Sequence, residues 1–408
     1  MGGIGLKKVL FVSGSIGLGH VTRDMAIVRE LRKLRPDIEL HWMAGEQATM
    51  MLRNAGENVL PESDGFSDEV GIADSMATGY KLNLAQYTAK ASKDWQASKV
   101  KFLEFVKHKN YDLVVGDEAW AVWFAYFENP SAKKQPFVMV YDFEKCVTVT
   151  KSPRDRMINW MLNRGWDNGL KMARKGQFPM EWESVFIGEP EDIPDEKLGL
   201  FLGNAREAAK DWKFVGYALR FDPKDYSDVR AQKRKLGYGD EKLVICSKGG
   251  TGIGQDLLDL CCRSYPLIKA KIPDVRMVIV AGPSIKPEDV TVPEGVDVLG
   301  FVPNLYEYFA ACDLAIVQAG GTTTVELTAL KRPFIYFPLE EHWEQLGVVV
   351  PRLRRHRAGI EMRYYQTTPE KLADAVVRNI GKKIDYADIP VDGARKAAEI
   401  MARYLPEK

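Results

Sequence analysis

The fold of this chain is decided by residues 8–20, which read KVLFVSGSIGLGH. Residues 8–13 form a short run of β-branched and apolar side chains that leads directly into a turn with three glycines. Apolar residues then recur at positions 25, 27, 28, 31 and 34, which is helical spacing, until Pro36 ends the pattern. The stretch therefore predicts a strand, a glycine turn and a helix.

The same pattern continues along the chain. Further strand-like runs lie at residues 38–44, 113–116, 137–140, 243–246, 277–281, 314–317 and 334–337, and a long helical region covers residues 74–108. Nearly continuous apolar strands that alternate with helices indicate parallel sheets covered on both faces. The sequence therefore predicts an α/β chain with two Rossmann-like, doubly wound domains.

The predicted domain boundary lies where a charged stretch at residues 221–235 interrupts the apolar pattern. We expect an N-terminal domain at residues 1–222 and a C-terminal domain at residues 223–381. A last helix within residues 382–408 has no strand after it, and we expect it to pack back on the N-terminal domain.

Composition excludes several classes of protein. The 408 residues are 46% hydrophobic and carry 57 basic against 56 acidic side chains, so a broad cationic surface that wraps nucleic acid is not expected. Five cysteines without a C-x-x-C pair indicate neither a disulfide framework nor a zinc ribbon. With no signal peptide and no apolar run longer than residues 119–127, the expectation is a cytoplasmic protein that does not cross a membrane.

His20 stands at the predicted junction of a strand end and a helix start, which is where open α/β sheets bind ligands. The glycines run G-x-x-G-x-G and fail the dinucleotide pattern G-x-G-x-x-G, so NAD binding is not predicted. A neutral imidazole at a helix N-terminus can take a proton from an alcohol; the alternative is a histidine that only caps the turn. Asp117, at the end of the run 113–116, is the predicted partner, with Glu118 as its rival.

Two glycine turns in the second half suit a phosphate. Residues 318–326 read QAGGTTTVE and place glycines and hydroxyls at a helix start, where amide groups and the positive helix end attract anions. Gly249, Gly250 and Thr251 offer a second nest, and two converging nests would accommodate a diphosphate. The alternative is a threonine N-cap without a ligand.

A bound metal is not predicted. The chain has no D-x-D pair, and the segment from His342 to Gln345 reads HWEQ and lacks the zinc pattern H-E-x-x-H. This segment instead offers polar side chains that suit sugar hydroxyls.

Taken together, these motifs resemble the GT-B nucleotide-sugar glycosyltransferases related to the peptidoglycan lipid-intermediate GlcNAc transferase and to the UDP-glycosyltransferases. The resemblance covers nearly the whole chain and implies two Rossmann-like domains that face a central cleft. It implies that residues 1–222 bind the acceptor and that residues 223–381 bind the nucleotide sugar. It also implies inverting, metal-independent transfer of a hexose or N-acetylhexosamine from a UDP-sugar to an acceptor hydroxyl, with a small-molecule or lipid-linked acceptor. The UDP-sugar is then a co-substrate, and no cofactor is expected.

The resemblance also implies roles for single residues. His20 would be the general base and Asp117 its support; Gly17, Gly19 and Arg23 would lie on the acceptor side, with Arg23, where many relatives carry proline, meeting an anionic acceptor. On the donor side, Phe301 would stack on the uracil, the Val302 backbone would read its edge, and Glu326 would bind the ribose. The remaining contacts implied are diphosphate contacts at Gly320, Gly321, Thr323 and Thr324, a phosphate contact at Gln318 in place of a histidine, and sugar contacts at His342, Glu344 and Gln345.

Residues 151–181 carry seven basic against three acidic side chains, interleaved with tryptophan and methionine. Such a stretch suits peripheral contact with an anionic membrane surface; the alternative is a solvated helix whose aromatic residues pack inward. Two alternative functions also remain open. One is an enzyme like UDP-GlcNAc 2-epimerase, although the expected G-T-R-P-E opening is absent, and the other is a non-catalytic nucleotide-sugar-binding protein of the same fold.

Overall fold

The computed structural model describes residues 6–14, 17–66, 69–177 and 182–405 and divides the chain into two compact units. The first unit holds residues 1–72, 84–220 and 390–408, and the second holds residues 73–83 and 221–389. The predicted division at 222/223 placed residues 73–83 in the first domain and ended the second at 381. The structure instead assigns residues 73–83, and the chain up to 389, to the second unit.

A six-stranded parallel sheet forms the centre of the first unit, in the order β2-β1-β3-β4-β5-β6. Its strands are β1 (Lys7–Ser13), β2 (Ile38–Ala44), β3 (Leu113–Asp117), β4 (Phe137–Tyr141), β5 (Trp182–Ile187) and β6 (Lys213–Gly216). The helices between these strands are α1 (Gly19–Leu34), α2 (Glu46–Asn54), α4 (Leu84–Lys107), α5 (Trp120–Glu128), α6 (Pro153–Arg174) and α7 (Ala205–Ala208). Helix α3 (Glu69–Met76) includes the division between the two units at residues 72 and 73.

The second unit is built on another six-stranded parallel sheet, in the order β12-β11-β10-β7-β8-β9. Its strands are β7 (Lys242–Ser247), β8 (Val275–Val280), β9 (Val296–Leu299), β10 (Leu314–Gln318), β11 (Phe334–Phe337) and β12 (Ile360–Glu361). The helices are α8 (Val229–Lys235), α9 (Gln255–Lys271), α10 (Leu305–Ala311), α11 (Gly321–Ala329), α12 (Val350–Arg355) and α13 (Pro369–Asn379); the last helix of the chain, α14 (Gly393–Ala402), belongs to the first unit.

These two sheets confirm the predicted class of two parallel α/β domains. The strand interiors are buried, as the apolar runs predict: the residues of β3 and β10, for example, are all buried. The predicted helix over residues 74–108 is wrong in one respect, because the chain leaves helical geometry between α3 and α4. Gly79, in that break, has a φ of +55°, which glycine adopts without strain.

Helix α14 packs on α1, so the end of the chain contributes to the core of the first unit. Met401 and Ala397 of this helix are fully buried. Among the described residues, no helix combines the length and the apolar character needed to cross a bilayer.

Candidate functional site

The turn after β1 lies close against the end of β3. The Gly14 amide donates to the Asp117 carbonyl oxygen at 2.9 Å, and a Cβ on Gly14 would lie 2.8 Å from the Glu118 carbonyl oxygen. Only glycine permits this approach without a shift of the backbone. Gly17, with a φ of +85°, completes the turn, and Gly19 begins α1; Ser15 and Ile16 lie outside the described residues.

His20 lies in the first turn of α1, with 8% of its surface exposed. Its Nδ1 lies 3.1 Å from Asp117 Oδ1, so the structure brings together the pair that the sequence predicted. Strands β1 and β3 are parallel neighbours, and their ends therefore share one edge of the sheet. Nδ1 thus faces an acceptor, Asp117 Oδ1, and a donor, Arg23 Nη2 at 2.8 Å, and its role depends on the tautomer. The tautomer that carries the proton on Nδ1 donates to Asp117 and leaves Nε2 as the acceptor that a general base needs.

Arg23 does not take the place predicted for it. It is 5% exposed, and its Nε donates to Asp117 Oδ2 at 2.6 Å while its Nη1 donates to Asp142 Oδ2 at 2.5 Å. Its Nη2 lies 2.8 Å from His20 Nδ1. The guanidinium uses four of its five N–H donors on two carboxylates and an imidazole, so the structure does not support the predicted contact with an anionic acceptor.

The buried charges around Arg23 set each other's protonation. Burial alone would raise the pKa of Asp117, but the charges of Arg23 and His20 outweigh burial and hold that pKa well below its usual value. Burial would also raise the pKa of Asp142, but the charge of Arg23 outweighs it and lowers that pKa to about 2. Glu118 behaves oppositely: burial, and then the Asp142 charge, raise its pKa well above the usual value. The arrangement therefore keeps the partner of His20 ionised.

Glu118, the rival partner, makes a different contact. Its Oε1 accepts a hydrogen bond from the Asp142 amide at 3.2 Å, and its φ of +44° is unusual for a residue other than glycine. Strain of this kind is concentrated at functional sites. Glu118 thus shapes the turn after β3, and Asp117 is the carboxylate that contacts His20.

Ligand atoms of His20, Asp117 and Glu118 lie within 4.8 Å of one another, the spacing of a metal site. Arg23, however, donates to both carboxylate oxygens of Asp117. A metal ion at these atoms would have to displace a guanidinium that already supplies the positive charge. The residues present therefore do not fit a metal ion.

A cavity opens at the same edge of the first unit. It is lined by the end of β1, by Gly17 of the glycine turn and by the starts of α2 and α5. The lining also includes Phe66 and Glu69, which are distant from His20 in the sequence. The cavity therefore lies against the glycine turn that leads to His20.

In the second unit, the turn from β7 to α9 contains the predicted nest. Gly249 has a φ of +88°, and a Cβ there would meet no atom within 4 Å, so the nest is open at this residue. The turn is preceded by Lys248, a buried lysine that the sequence analysis did not select. The sequence signal that could have indicated Lys248 is its place directly between a strand and a Gly-Gly-Thr turn.

In the second nest, at the start of α11, only some of the residues predicted to contact the diphosphate are accessible. Gly320 and Gly321 are open, since a Cβ on either would contact nothing within 4 Å, and Thr323 is partly exposed. Thr324 is fully buried, and its hydroxyl donates to the Gly320 carbonyl oxygen at 2.8 Å. A hydroxyl used within its own helix turn cannot bind a diphosphate, so the prediction for Thr324 is wrong.

The segment after β11 also uses its polar atoms internally. The Oε1 of Gln345 accepts a hydrogen bond from the Leu339 amide at 2.8 Å, and His342 Nδ1 accepts one from the Gln345 amide at 3.3 Å. Burial lowers the pKa of His342 to about 3, so the ring stays neutral. These bonds occupy Nδ1 of His342 and Oε1 of Gln345, and Glu344 is partly exposed. The sugar contacts of His342, Glu344 and Gln345 stay predictions.

The three other predicted donor residues follow strand ends in the same unit. Phe301 and Val302 are half-buried in the segment after β9, and Val302 packs on the hydrophobic core. Glu326 lies in α11 and is 6% exposed. Their roles toward a nucleotide stay predictions.

Comparison with solved structures identifies the architecture. MurG of Acinetobacter baumannii aligns with 98% of this chain and 99% of its own, at a TM-score of 0.54 and 13% identity. The glycosyltransferase SsfS6 of Streptomyces sp. SF2575, complexed with thymidine diphosphate, aligns at a TM-score of 0.54 and 16% identity, over 97% of this chain and 96% of its own. The chain has the GT-B fold.

Sequence comparison places a known domain within this GT-B chain. Residues 244–400 match the glycosyltransferase family 28 C-terminal domain. An uncharacterised glycosyltransferase of Methanopyrus kandleri is 27% identical over 196 residues, which is 47% of this chain and 54% of the relative. The chain spans about half or less of the length of the first relatives that it matches.

A longer alignment joins this GT-B chain to a relative of stated activity. The UDP-N-acetylglucosamine–N-acetylmuramyl-(pentapeptide) pyrophosphoryl-undecaprenol N-acetylglucosamine transferase of Clostridioides difficile is 22% identical over 389 residues. The alignment covers 93% of this chain and 82% of that protein.

Proposed function

We propose that this GT-B chain is an inverting, metal-independent glycosyltransferase that moves a hexose or N-acetylhexosamine from a UDP-sugar to an acceptor hydroxyl. The observation that carries the proposal is the buried contact between His20 and the ionised Asp117 at one edge of the first sheet. The family 28 match supports a donor site in the second unit, and that match includes both glycine nests.

The proposed reaction is a single displacement. The acceptor oxygen attacks C1 of the sugar, the bond from C1 to the phosphate oxygen breaks, and UDP leaves with the bonding electrons. His20 Nε2 takes the hydroxyl proton, and Asp117 stabilises the imidazolium that forms. Backbone amides at Gly320, Gly321 and the 249–252 turn take up the developing charge on the diphosphate, which is the role that a metal ion has in other transferases.

The acceptor is proposed to be lipid-linked, because one face of the first unit suits a membrane. Phe201 is 92% exposed, Leu200 71%, Met157 57% and Met161 51%. Exposed basic residues of α6 surround these side chains, among them Arg154, Arg156 and Arg164. Apolar side chains bordered by cations complement an anionic bilayer surface, and we propose that the chain works at the cytoplasmic face of such a membrane.

Part of the segment 151–181 follows the alternative prediction, a helix whose aromatic residues pack inward. Trp166 is 7% exposed, and its ring packs against Trp120 at 5.1 Å and against Phe143 at 5.3 Å. The segment is therefore a helix with one face in the core and one face in solvent. The predicted segment extended to residue 181, and its last four residues lie outside the described residues.

The test combines donor binding with turnover. UDP at 100 times its dissociation constant should stabilise the protein by about 2.7 kcal/mol, as measured by thermal unfolding, with thymidine diphosphate as the comparison. His20→Ala should lower sugar transfer on the order of 10²- to 10⁴-fold and leave UDP binding unchanged.

His41→Ala is the matched control, because His41 also contacts a carboxylate, Glu39, at 3.0 Å but lies within β2. It should leave turnover unchanged. Equal turnover in His20→Ala and wild type would overturn the general-base assignment, and UDP binding without transfer to any acceptor extract would favour a non-catalytic binding protein.

A further inference from the structure

Lys248 is an unusual residue for its position. It lies directly after β7 with 1% of its surface exposed, and its ammonium group donates a hydrogen bond to the Thr251 carbonyl oxygen. No carboxylate within ion-pair distance of this group is found in the described part of the chain. A buried cation without an ion-pair partner is costly, and burial lowers the pKa of Lys248 to about 8.

A carboxylate already lies on the nest beside this lysine. The Gly252 amide donates to both oxygens of Asp74, at 2.9 and 3.0 Å. Over the ranges that the structure describes, the amides of Gly250 and Thr251 make no hydrogen bond. The turn from β7 to α9 therefore binds one anion, the Asp74 carboxylate, and keeps two amide donors for a larger anion.

Neighbouring strand ends complete the surroundings of Lys248. The side-chain oxygen of Gln318, at the end of β10, is buried and has no hydrogen-bond partner among the described residues. It would lie 3.1 Å from a Cβ on Gly254. A Cβ on Gly282, after β8, would lie 3.9 Å from Lys248 Nζ. Because β7 is the parallel neighbour of both β10 and β8, all three strand ends meet at one place.

Asp74 reaches this place from the segment 73–83, which packs in the second unit. The Tyr80 hydroxyl fixes that segment by donating to the Phe337 carbonyl oxygen at 2.8 Å, and the Tyr80 ring stacks on Tyr364 at 4.7 Å. Gly79 lies between this anchor and Asp74.

We propose that Lys248 and the 249–252 amides bind the diphosphate of the donor, and that Asp74 occupies this subsite until the diphosphate displaces its carboxylate. The proposal rests on the function proposed above and adds a binding residue and a competing group of this chain. A diphosphate carries more negative charge than a carboxylate and has more acceptor oxygens, so it can satisfy Lys248, Gly250 and Thr251 at the same time.

The test measures the affinity of UDP and of uridine by isothermal titration calorimetry. Lys248→Met keeps an unbranched side chain that is one atom shorter and removes the charge. UDP should therefore bind about 10- to 100-fold more weakly, while uridine, which has no phosphate, should bind equally. Asp74→Asn removes the competing charge and should tighten UDP binding about 3- to 10-fold. Lys382→Met, at an exposed lysine of the same unit, should change neither affinity.

Opposite shifts in the two variants support the proposal, since a purely structural role would weaken binding in both. Unchanged UDP affinity in a folded Lys248→Met variant overturns the subsite and leaves the proposed function standing. Weaker UDP binding in Asp74→Asn overturns the proposal that the diphosphate displaces the Asp74 carboxylate. If Lys248→Met does not fold, the Asp74→Asn result alone decides whether the proposal stands. Failure of wild type to bind UDP or thymidine diphosphate overturns the donor site itself.

Discussion

At the residue scale, Arg23 determines the electrostatics around His20. Its guanidinium contacts Asp117, Asp142 and the His20 ring, and it therefore compensates two carboxylates that could not otherwise stay ionised when buried. The arginine Nη2 also lies close to His20 Nδ1, the atom through which Asp117 orients the imidazole. The pair of His20 and Asp117 is thus part of a larger group of buried charges in this chain.

Glu144 gives a prediction about pH. It is 2% exposed, neither carboxylate oxygen has a hydrogen-bond partner in the described part of the chain, and burial raises its pKa to about 9. The unfolded chain loses this proton above about pH 4.3, whereas the folded chain keeps it, so Glu144 lowers the free energy of unfolding as pH rises from about 4.3 to 9. Glu144→Gln does not titrate and should gain stability over wild type, by about 1 to 4 kcal/mol more at pH 8 than at pH 5.

Urea unfolding at the two pH values measures this difference. Glu207→Gln, at an exposed glutamate of the same unit, should show the same small difference from wild type at both pH values. A stability difference for Glu144→Gln that does not change with pH would contradict the prediction.

At the element scale, the turn from β1 to α1 depends on the contact between Gly14 and the end of β3. Gly14→Ala places a Cβ 2.8 Å from the Glu118 carbonyl oxygen, so the backbone must shift at a cost of about 1 to 3 kcal/mol, and turnover should fall because His20 moves relative to Asp117. Chemical denaturation and transfer assays measure the two effects. Gly165→Ala, inside α6 with open space around it, should be neutral or stabilising; if Gly14→Ala behaves likewise, the close approach is not required.

The exposed apolar side chains of α6 and of residues 200–201 predict binding to anionic vesicles. Removing a large apolar contact costs about 1.5 to 3 kcal/mol, so Met157→Glu and Phe201→Glu should each weaken binding to phosphatidylglycerol vesicles about 10-fold or more, as measured by co-sedimentation. Val100→Glu, at a valine on α4 that is 63% exposed, is the control and should bind as wild type does. Equal binding to neutral phosphatidylcholine vesicles would argue against an electrostatic membrane contact.

At the scale of the whole molecule, the end of the chain stabilises the unit in which the chain begins. Met401 is fully buried in α14, and Tyr217 ties this terminal segment to the first unit, since its amide donates to the Pro390 carbonyl oxygen at 2.8 Å. Met401→Ala should cost about 2 to 5 kcal/mol and should lower amide protection in the first unit while the second keeps its protection.

Hydrogen exchange with mass spectrometry measures protection in each unit separately. Met50→Ala, at a methionine of the first unit that is 40% exposed, should cost less than about 1 kcal/mol. A loss of protection in the second unit after Met401→Ala would contradict the assignment of α14 to the first.

The sequence by itself determined the two parallel α/β units and the pairing of His20 with Asp117. Apolar runs with glycine turns mark strand ends, and parallel strands bring those ends to one edge, so two residues 97 positions apart could be placed together without coordinates. The open nest at Gly320 and Gly321 followed from the same local pattern.

Only the tertiary structure decided which polar atoms are already engaged. Arg23 turns inward to a carboxylate 94 positions away, Thr324 donates to its own helix turn, and Asp74 reaches an amide 178 positions along the chain. Local periodicity specifies which face of an element is apolar, but side-chain partners depend on what the packed chain brings within hydrogen-bond distance. For this reason the sequence placed the elements of the site correctly and misassigned several of its side chains.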